Sequence, residues 1–96
     1  MDEAPGVTAE DLHARLVAEH GAHPSNVGFY SEWVPVIDRL DKDLTALVPG
    51  YRLVQVKAKF GGLRYYVDWP AGVTGEVIEQ AESLIRATEQ ACELLR

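Results

Sequence analysis

The fold is decided by residues 51–69, which read YRLVQVKAKFGGLRYYVDW. Apolar and polar residues alternate on both sides of Gly61-Gly62, and this period of two is typical of β-strands that bury one face. Glycine tolerates the positive φ angles of tight hairpin turns, so Gly61-Gly62 indicates a two-residue turn. The pattern predicts an antiparallel hairpin with strands near 52–60 and 63–69.

The predicted register divides the hairpin into an apolar face and a polar face, and a slip of one residue would turn the apolar residues to solvent. The apolar face is expected to consist of four cross-strand pairs: Phe60 with Leu63, Ala58 with Tyr65, Val56 with Val67, and Val54 with Trp69. The polar face is expected to pair Lys59 with Arg64, Lys57 with Tyr66, and Gln55 with Asp68.

Upstream of the hairpin, an apolar stripe at helical spacing predicts a helix near 34–48. Pro35 falls in its first turn, where a missing N–H costs little, and Pro49-Gly50 ends it. The stripe comprises Trp33, Ile37, Leu40, Leu44 and Leu47. The solvent-facing side is expected to carry Asp38, Arg39, Asp41, Lys42 and Asp43.

Two further helices are predicted on either side of these elements. Thr8 is a candidate N-cap for a helix near 8–20, and Thr74 is one for a long helix near 74–95. A two-stranded hairpin is not stable alone, so the helices must cover its apolar face. The expected core is Trp33, Ile37, Leu40, Leu44, Val56, Val67, Ile78, Ala81 and Ile85.

These elements predict a single α+β domain with a small antiparallel sheet, in the order helix–helix–β-hairpin–helix. The domain is expected to span residues 8–96, after a flexible tail at residues 1–7. A chain of 96 residues has no room for a second core.

Composition excludes several classes of protein. The net charge is −6, and phosphate binding depends on clustered lysine and arginine, which argues against general affinity for nucleic acid or anionic membranes. No apolar run is long enough to span a bilayer, and the acidic start is unlike a secretory signal, so a cytoplasmic protein is expected. Cys92 is the single cysteine, which excludes an intrachain disulfide.

The polar face of the hairpin is the first candidate site. No acidic residue occurs between Asp43 and Asp68, so this face forms a basic patch on an acidic protein. Directly opposed like charges weaken a sheet by up to about 1 kcal/mol. Carboxylates of a neighbouring helix or an anionic partner would offset that cost, so a solvated face and a binding face are both open. The candidate binding residues are Gln55, Lys57, Lys59, Arg64 and Tyr66.

The remaining chemistry-bearing residues indicate structure rather than catalysis. His13 and His20 are seven residues apart, whereas metal-binding histidines on a helix are normally four apart, so surface or partly packed histidines are expected. Cys92 lies on the apolar side of the third helix and is interpreted as packing. We predict no catalytic residue, no metal site and no cofactor, because no phosphate-binding glycine loop, paired carboxylate motif or nucleophilic serine motif occurs.

The stretch VQVKAKFGGLRYYV at residues 54–67 resembles a family of small uncharacterised bacterial and phage proteins. At this place, members of that family have a motif that resembles Gln-Ile-Lys-Glu-Lys-Phe-Gly-(Gly or Thr)-Leu-Arg-(Phe or Tyr)-Tyr. They also have an upstream Trp-x-Pro helix start, which is matched by residues 33–35. The resemblance covers roughly residues 33–93 and implies no particular function.

The chain departs from that family at two places. Ala58 stands where the family usually has glutamate, which leaves this hairpin more basic than its relatives. Members often carry Cys-Glu-x-Cys-Gly near the C-terminus. Cys92-Glu93 matches the first half of that motif, but Leu95 occupies the place of the second cysteine. Cys92 is therefore expected to have only its packing role.

Small size, acidity and the lack of a catalytic motif favour a non-enzymatic interaction module, such as a phage or mobile-element accessory protein that binds and modulates a host protein. The alternative is a binder of a phosphate-bearing ligand, nucleotide or nucleic acid through the basic face. No membrane partner is expected. Residues 51–56 of the first strand have few guarding charges, so pairing of this edge with a second copy predicts a homodimer.

Overall fold

The computed structural model describes residues 6–95. It has three helices and one hairpin, in the predicted order, and this confirms the α+β class. No helix among these residues is long and apolar enough to cross a membrane. The elements are α1 (Ala9–His20), α2 (Val34–Leu47), β1 (Arg52–Lys59), β2 (Gly62–Asp68) and α3 (Gly75–Leu94). Single-turn 3₁₀ helices at Pro24–Asn26 and Ser31–Trp33 lie in the linker between α1 and α2.

Both predicted threonine caps form. The Thr8 hydroxyl accepts a hydrogen bond from the Asp11 amide at 3.0 Å, and Thr74 does the same for Val77 at 3.3 Å. The tail prediction for residues 1–5 lies outside the described residues. Val7, the last residue of the predicted tail, is half-buried and packs against the core.

The predicted hairpin turn is wrong by one residue. The turn consists of Phe60 and Gly61, and both have positive φ, of 54° and 80°. Gly62 belongs to β2 and is buried. A Cβ at Gly62 would lie 3.3 Å from Glu93 Cγ on α3. Glycine at position 62 therefore allows the Glu93 side chain of α3 to approach the strand closely. Phe60 takes the first position of the turn.

The cross-strand pairs shift accordingly, and Val54 and Phe60, both predicted on the apolar inner face, are exposed. Val54 is also an extra residue at a bulge, so Leu53 replaces it on the inner face; strict alternation could not show this because both residues are apolar. The inner pairs are Ala58 with Leu63, Val56 with Tyr65, and Leu53 with Val67. The outer pairs are Lys59 with Gly62, Lys57 with Arg64, Gln55 with Tyr66, and Arg52 with Asp68.

The core lies between the inner face of the hairpin and the three helices. Seven of the nine predicted core residues are buried: Trp33, Ile37, Leu40, Leu44, Val56, Ala81 and Ile85. Val67 is half-buried against the core, whereas Ile78 is half-exposed and its neighbour Val77 packs instead. The Trp33 indole N–H donates to the Cys92 carbonyl at 3.1 Å and ties α2 to α3.

Both edges of the two-stranded sheet are partly occupied. Val27 in the linker forms a parallel bridge with Val56, and the Gly28 amide donates to the Val56 carbonyl at 2.9 Å. On the other edge, the Tyr65 amide donates to a Glu89 carboxylate oxygen at 3.1 Å. Dimerisation through β1 assumed an open edge, and a second copy would have to displace the linker at Val56.

Candidate functional site

The five candidate binding residues lie together on the outer face of the hairpin. The observed register places Lys57 directly opposite Arg64 and Gln55 directly opposite Tyr66, with Lys59 one step from the turn. Tyr66 is 44% exposed. We call Gln55, Lys57, Lys59, Arg64 and Tyr66 the basic face. On this face the like charges that oppose each other across the strands are Lys57 and Arg64. The prediction that Lys59 pairs with Arg64 was wrong.

Intramolecular ion pairs do not neutralise the basic face. Within residues 6–95, every ion pair joins a residue of α1 or α2 to another residue of those two helices. The Glu93 carboxylate of α3 and the Arg64 guanidinium both lie beside Gly62, but they form no ion pair. Arg64 instead donates to the Leu63 carbonyl at 3.0 Å. Glu93 therefore offsets part of the charge repulsion across the strands, and solvent or a partner offsets the rest.

A second cluster of polar residues lies inside the molecule, where α1, α2 and β1 meet. Asp41 and His20 are 2% and 4% exposed, which corrects the prediction of a solvent-facing Asp41 and a surface or partly packed His20. His20 Nε2 lies 2.6 Å from Asp41 Oδ1. The other ring nitrogen, Nδ1, donates to the Tyr51 carbonyl at 3.0 Å, since a carbonyl oxygen can only accept. The His20 ring is also stacked on that of Tyr51, with centroids 4.0 Å apart.

Two tyrosine hydroxyls extend this cluster towards the sheet. The Tyr51 hydroxyl donates to Asp41 Oδ1 at 2.7 Å, so at its 2.8 Å contact with Tyr65 the Tyr65 hydroxyl is the donor. Burial, the Tyr65 hydroxyl and the charge of Asp41 raise the pKa of Tyr51 far above its ordinary value. Burial likewise raises the pKa of Tyr65. Both hydroxyls therefore stay protonated and act as structural donors.

Arg15 connects the buried cluster to the surface. Its Nε donates to Asp41 Oδ2 at 3.0 Å and its Nη2 donates to Asp38 Oδ1 at 2.6 Å. Lys42 Nζ lies 3.2 Å from the other Asp38 oxygen. No buried side-chain nitrogen or oxygen in residues 6–95 lacks a hydrogen-bond partner. A fully satisfied buried network of this kind makes the surrounding structure rigid.

Glu19, His20 and Asp41 have potential metal-ligand atoms within 4.8 Å of one another. Both His20 nitrogens and both Asp41 oxygens already make hydrogen bonds. A cation would have to displace Arg15 and break the contact of His20 with Asp41.

The ion pair of Asp38 with Arg15 predicts a pH dependence of stability. Burial alone would raise the pKa of Asp38, but hydrogen bonds from Arg15 and Lys42 and their charges outweigh it and lower the pKa below its ordinary value. The unfolded chain, with an aspartate pKa of about 3.9, therefore takes up the proton first as the pH falls. The ion pair therefore contributes its full stabilisation of the fold above the pKa of the unfolded chain. This stabilisation is lost as the pH falls through the lowered pKa of the folded state.

Asp38→Asn should consequently reduce the free energy of unfolding by about 1 kcal/mol at pH 7, and the difference from wild type should shrink below about pH 4. Urea titrations at pH 7, 4 and 3 measure the difference. A difference that grew towards acidic pH would contradict the assignment.

The other histidines and the cysteine have local roles. His13 Nε2 lies 3.1 Å from the Pro24 carbonyl, and His23 Nδ1 accepts from the Ser25 amide at 3.1 Å, which caps the first 3₁₀ turn. Cys92 is fully buried, and burial together with the charge of Glu89 raises the pKa of its thiol to about 11. A protonated, enclosed thiol is a poor nucleophile, in agreement with its predicted packing role.

Two signals for the buried cluster were present in the sequence. His20 follows Leu12 and Leu16 at intervals of four, on the buried face of α1. Asp41 lies four residues after Ile37 and three before Leu44, on the apolar stripe of α2. Polar residues at apolar positions of two neighbouring helices indicate a buried pair.

Comparison of the chain with protein-family models, with curated proteins and with solved structures finds no match. The resemblance of residues 54–67 to small bacterial and phage proteins therefore stays a prediction.

Proposed function

We propose that the protein is a non-enzymatic interaction module that binds an acidic surface of another protein through the basic face of its hairpin. The observation that carries this proposal is the placement of Lys57 opposite Arg64, with no ion pair to either side chain among residues 6–95. An acidic partner would convert a repulsive pair into two favourable contacts. Tyr66 adds an exposed aromatic ring, a residue type enriched with arginine at binding hot spots.

A protein partner fits the charge distribution better than a nucleic acid does. The basic face has three cations, whereas the chain as a whole has a net charge of −6. A long polyanion that contacted the hairpin would also meet the field of the acidic remainder, whereas an acidic patch the size of two strands would not. The resemblance to bacterial and phage proteins makes a cytoplasmic bacterial protein the partner to search for.

Lys57→Glu tests the proposal with little risk to the fold, because it creates an opposite-charge pair with Arg64 across the strands. Arg39→Glu is the matched control: it reverses one charge at an exposed position of α2, outside the basic face. A protein captured from a lysate of the source organism is purified, and its affinity for each variant is measured by calorimetry. We expect Lys57→Glu to weaken binding at least tenfold and Arg39→Glu to change it less than twofold.

Equal affinities of the two variants for every captured protein would refute the proposal. A labelled 20-nucleotide single strand is measured in parallel by fluorescence anisotropy at 50 mM and 200 mM salt. Salt-sensitive binding of this strand that Lys57→Glu abolishes, without any protein that distinguishes the variants, would instead establish the phosphate-binding alternative.

A further inference from the structure

The tip of the hairpin carries an aromatic residue in an unfavourable setting. Phe60 has φ 54°, in the left-handed region, and its side chain is 93% exposed. Two-residue turns with positive φ at both positions strongly favour Asn, Asp or Gly at the first, because a larger L-residue is sterically penalised there. Phenylalanine at this position therefore opposes the turn geometry, and in the free protein its ring remains in water.

Contacts within the described chain do not account for Phe60. Its ring is outside the hydrophobic core, and its one notable neighbour is the Lys59 ammonium, 5.6 Å from the ring centroid. At an exposed site such a contact is weak. It does place the ring beside the basic face, so that an apolar protrusion and a set of unpaired cations form one continuous surface at the end of the hairpin.

We propose that Phe60 is the hydrophobic anchor of the interface, and that it inserts into an apolar pocket bordered by acidic residues on the partner protein. This inference rests on the proposed function of the basic face and specifies the partner surface further. The charges around the ring indicate what the partner surface is like. Three cations lie on the outer face of the hairpin near the turn, so the rim of the pocket that receives the ring must be acidic. These cations are Lys57, Lys59 and Arg64. The backbone strain and the exposed ring of Phe60 lower the stability of the free protein. Burial of the ring on binding offsets this cost.

Phe60→Asn separates this role from folding. Asparagine suits the left-handed conformation, so the melting temperature of the variant should be equal to or above that of wild type, whereas the anchor is removed. Phe60→Tyr is the matched control, because it keeps an aromatic ring at the tip. We expect Phe60→Asn to weaken binding of the purified partner at least tenfold and Phe60→Tyr to change it less than threefold.

The partner is found with a photo-crosslinking side chain, p-benzoylphenylalanine, placed at position 60 and, as a control, at the exposed position Gln90 of α3. The expected result is one protein crosslinked from position 60 and not from position 90, whose affinity falls with Phe60→Asn. Adducts that contain only lipid or a second copy of this chain, or no adduct at position 60, would overturn the proposal. So would a crosslinked protein that binds Phe60→Asn as well as wild type.

The two proposals fail in distinguishable ways. If Lys57→Glu weakens binding of the purified partner tenfold and Phe60→Asn does not, the basic face is the interface and the anchor is refuted. If neither variant changes the affinity, the proposed function itself is refuted.

Discussion

Replacement of Asp41 by alanine is expected to lower the free energy of unfolding by about 3–5 kcal/mol, the range found when one member of a buried ion pair is removed. The Asp41 carboxylate receives the Arg15 guanidinium at 3.0 Å and the Tyr51 hydroxyl at 2.7 Å, and it lies 2.6 Å from His20 Nε2. Its loss removes the acceptor of the buried Tyr51 hydroxyl, the contact with the buried His20 ring and one of the two carboxylate contacts of the half-buried Arg15.

A domain of this length has a total stability on the order of 5–14 kcal/mol, so Asp41→Ala should unfold at a much lower urea concentration or fail to fold. Asp43→Ala is the control on the same helix. Asp43 pairs with Arg39 at the surface at 3.3 Å, and its removal should cost less than about 1 kcal/mol. Similar urea midpoints for the two variants would show that the buried cluster is not a structural network.

The second large effect is expected for Leu40→Ala. Leu40 is 2% exposed on the apolar stripe of α2, and truncation of a buried leucine costs about 2–5 kcal/mol through lost burial and the cavity left behind. Leu94→Ala is the matched control, because the same substitution there removes a side chain that is 87% exposed. It should change the stability by less than about 0.5 kcal/mol.

Urea denaturation followed by circular dichroism measures both leucine variants. A loss below about 1 kcal/mol for Leu40→Ala would mean that the site collapses around the smaller side chain, and the importance of the stripe to the core would be overestimated.

The buried cluster also bears on how the domain holds its hairpin. His20 at the end of α1 donates to the backbone of Tyr51 immediately before β1, and the Tyr65 hydroxyl on β2 donates to Tyr51. The network therefore connects α1, α2 and both strands through directional bonds. Because hydrogen bonds require one geometry, whereas apolar packing tolerates several, this cluster orients the hairpin and so sets where its basic face points.

Local physical chemistry was enough to predict the elements and the class of fold. Changes in the spacing of apolar residues marked the three helices and the hairpin, and the threonine caps placed the starts of α1 and α3 correctly. The faces of the strands were also predictable, since side chains alternate along a strand: Lys57, Lys59 and Arg64 lie outside, and Val56 and Tyr65 lie inside. These features depend on residues close together in the chain.

Tertiary structure alone decided the turn, the exact pairs and which residues meet in the buried polar cluster. Gly62 could have served in the turn, but it lies in the strand, where a side chain would have to push the Glu93 side chain of α3 aside, and Phe60 is exposed at the tip. Asp41 was read as solvent-facing because its neighbours Arg15 and His20 are more than 20 positions away in the sequence. A charged side chain can be buried only where another group forms a hydrogen bond or an ion pair with it. For Asp41, the fold brings those groups close.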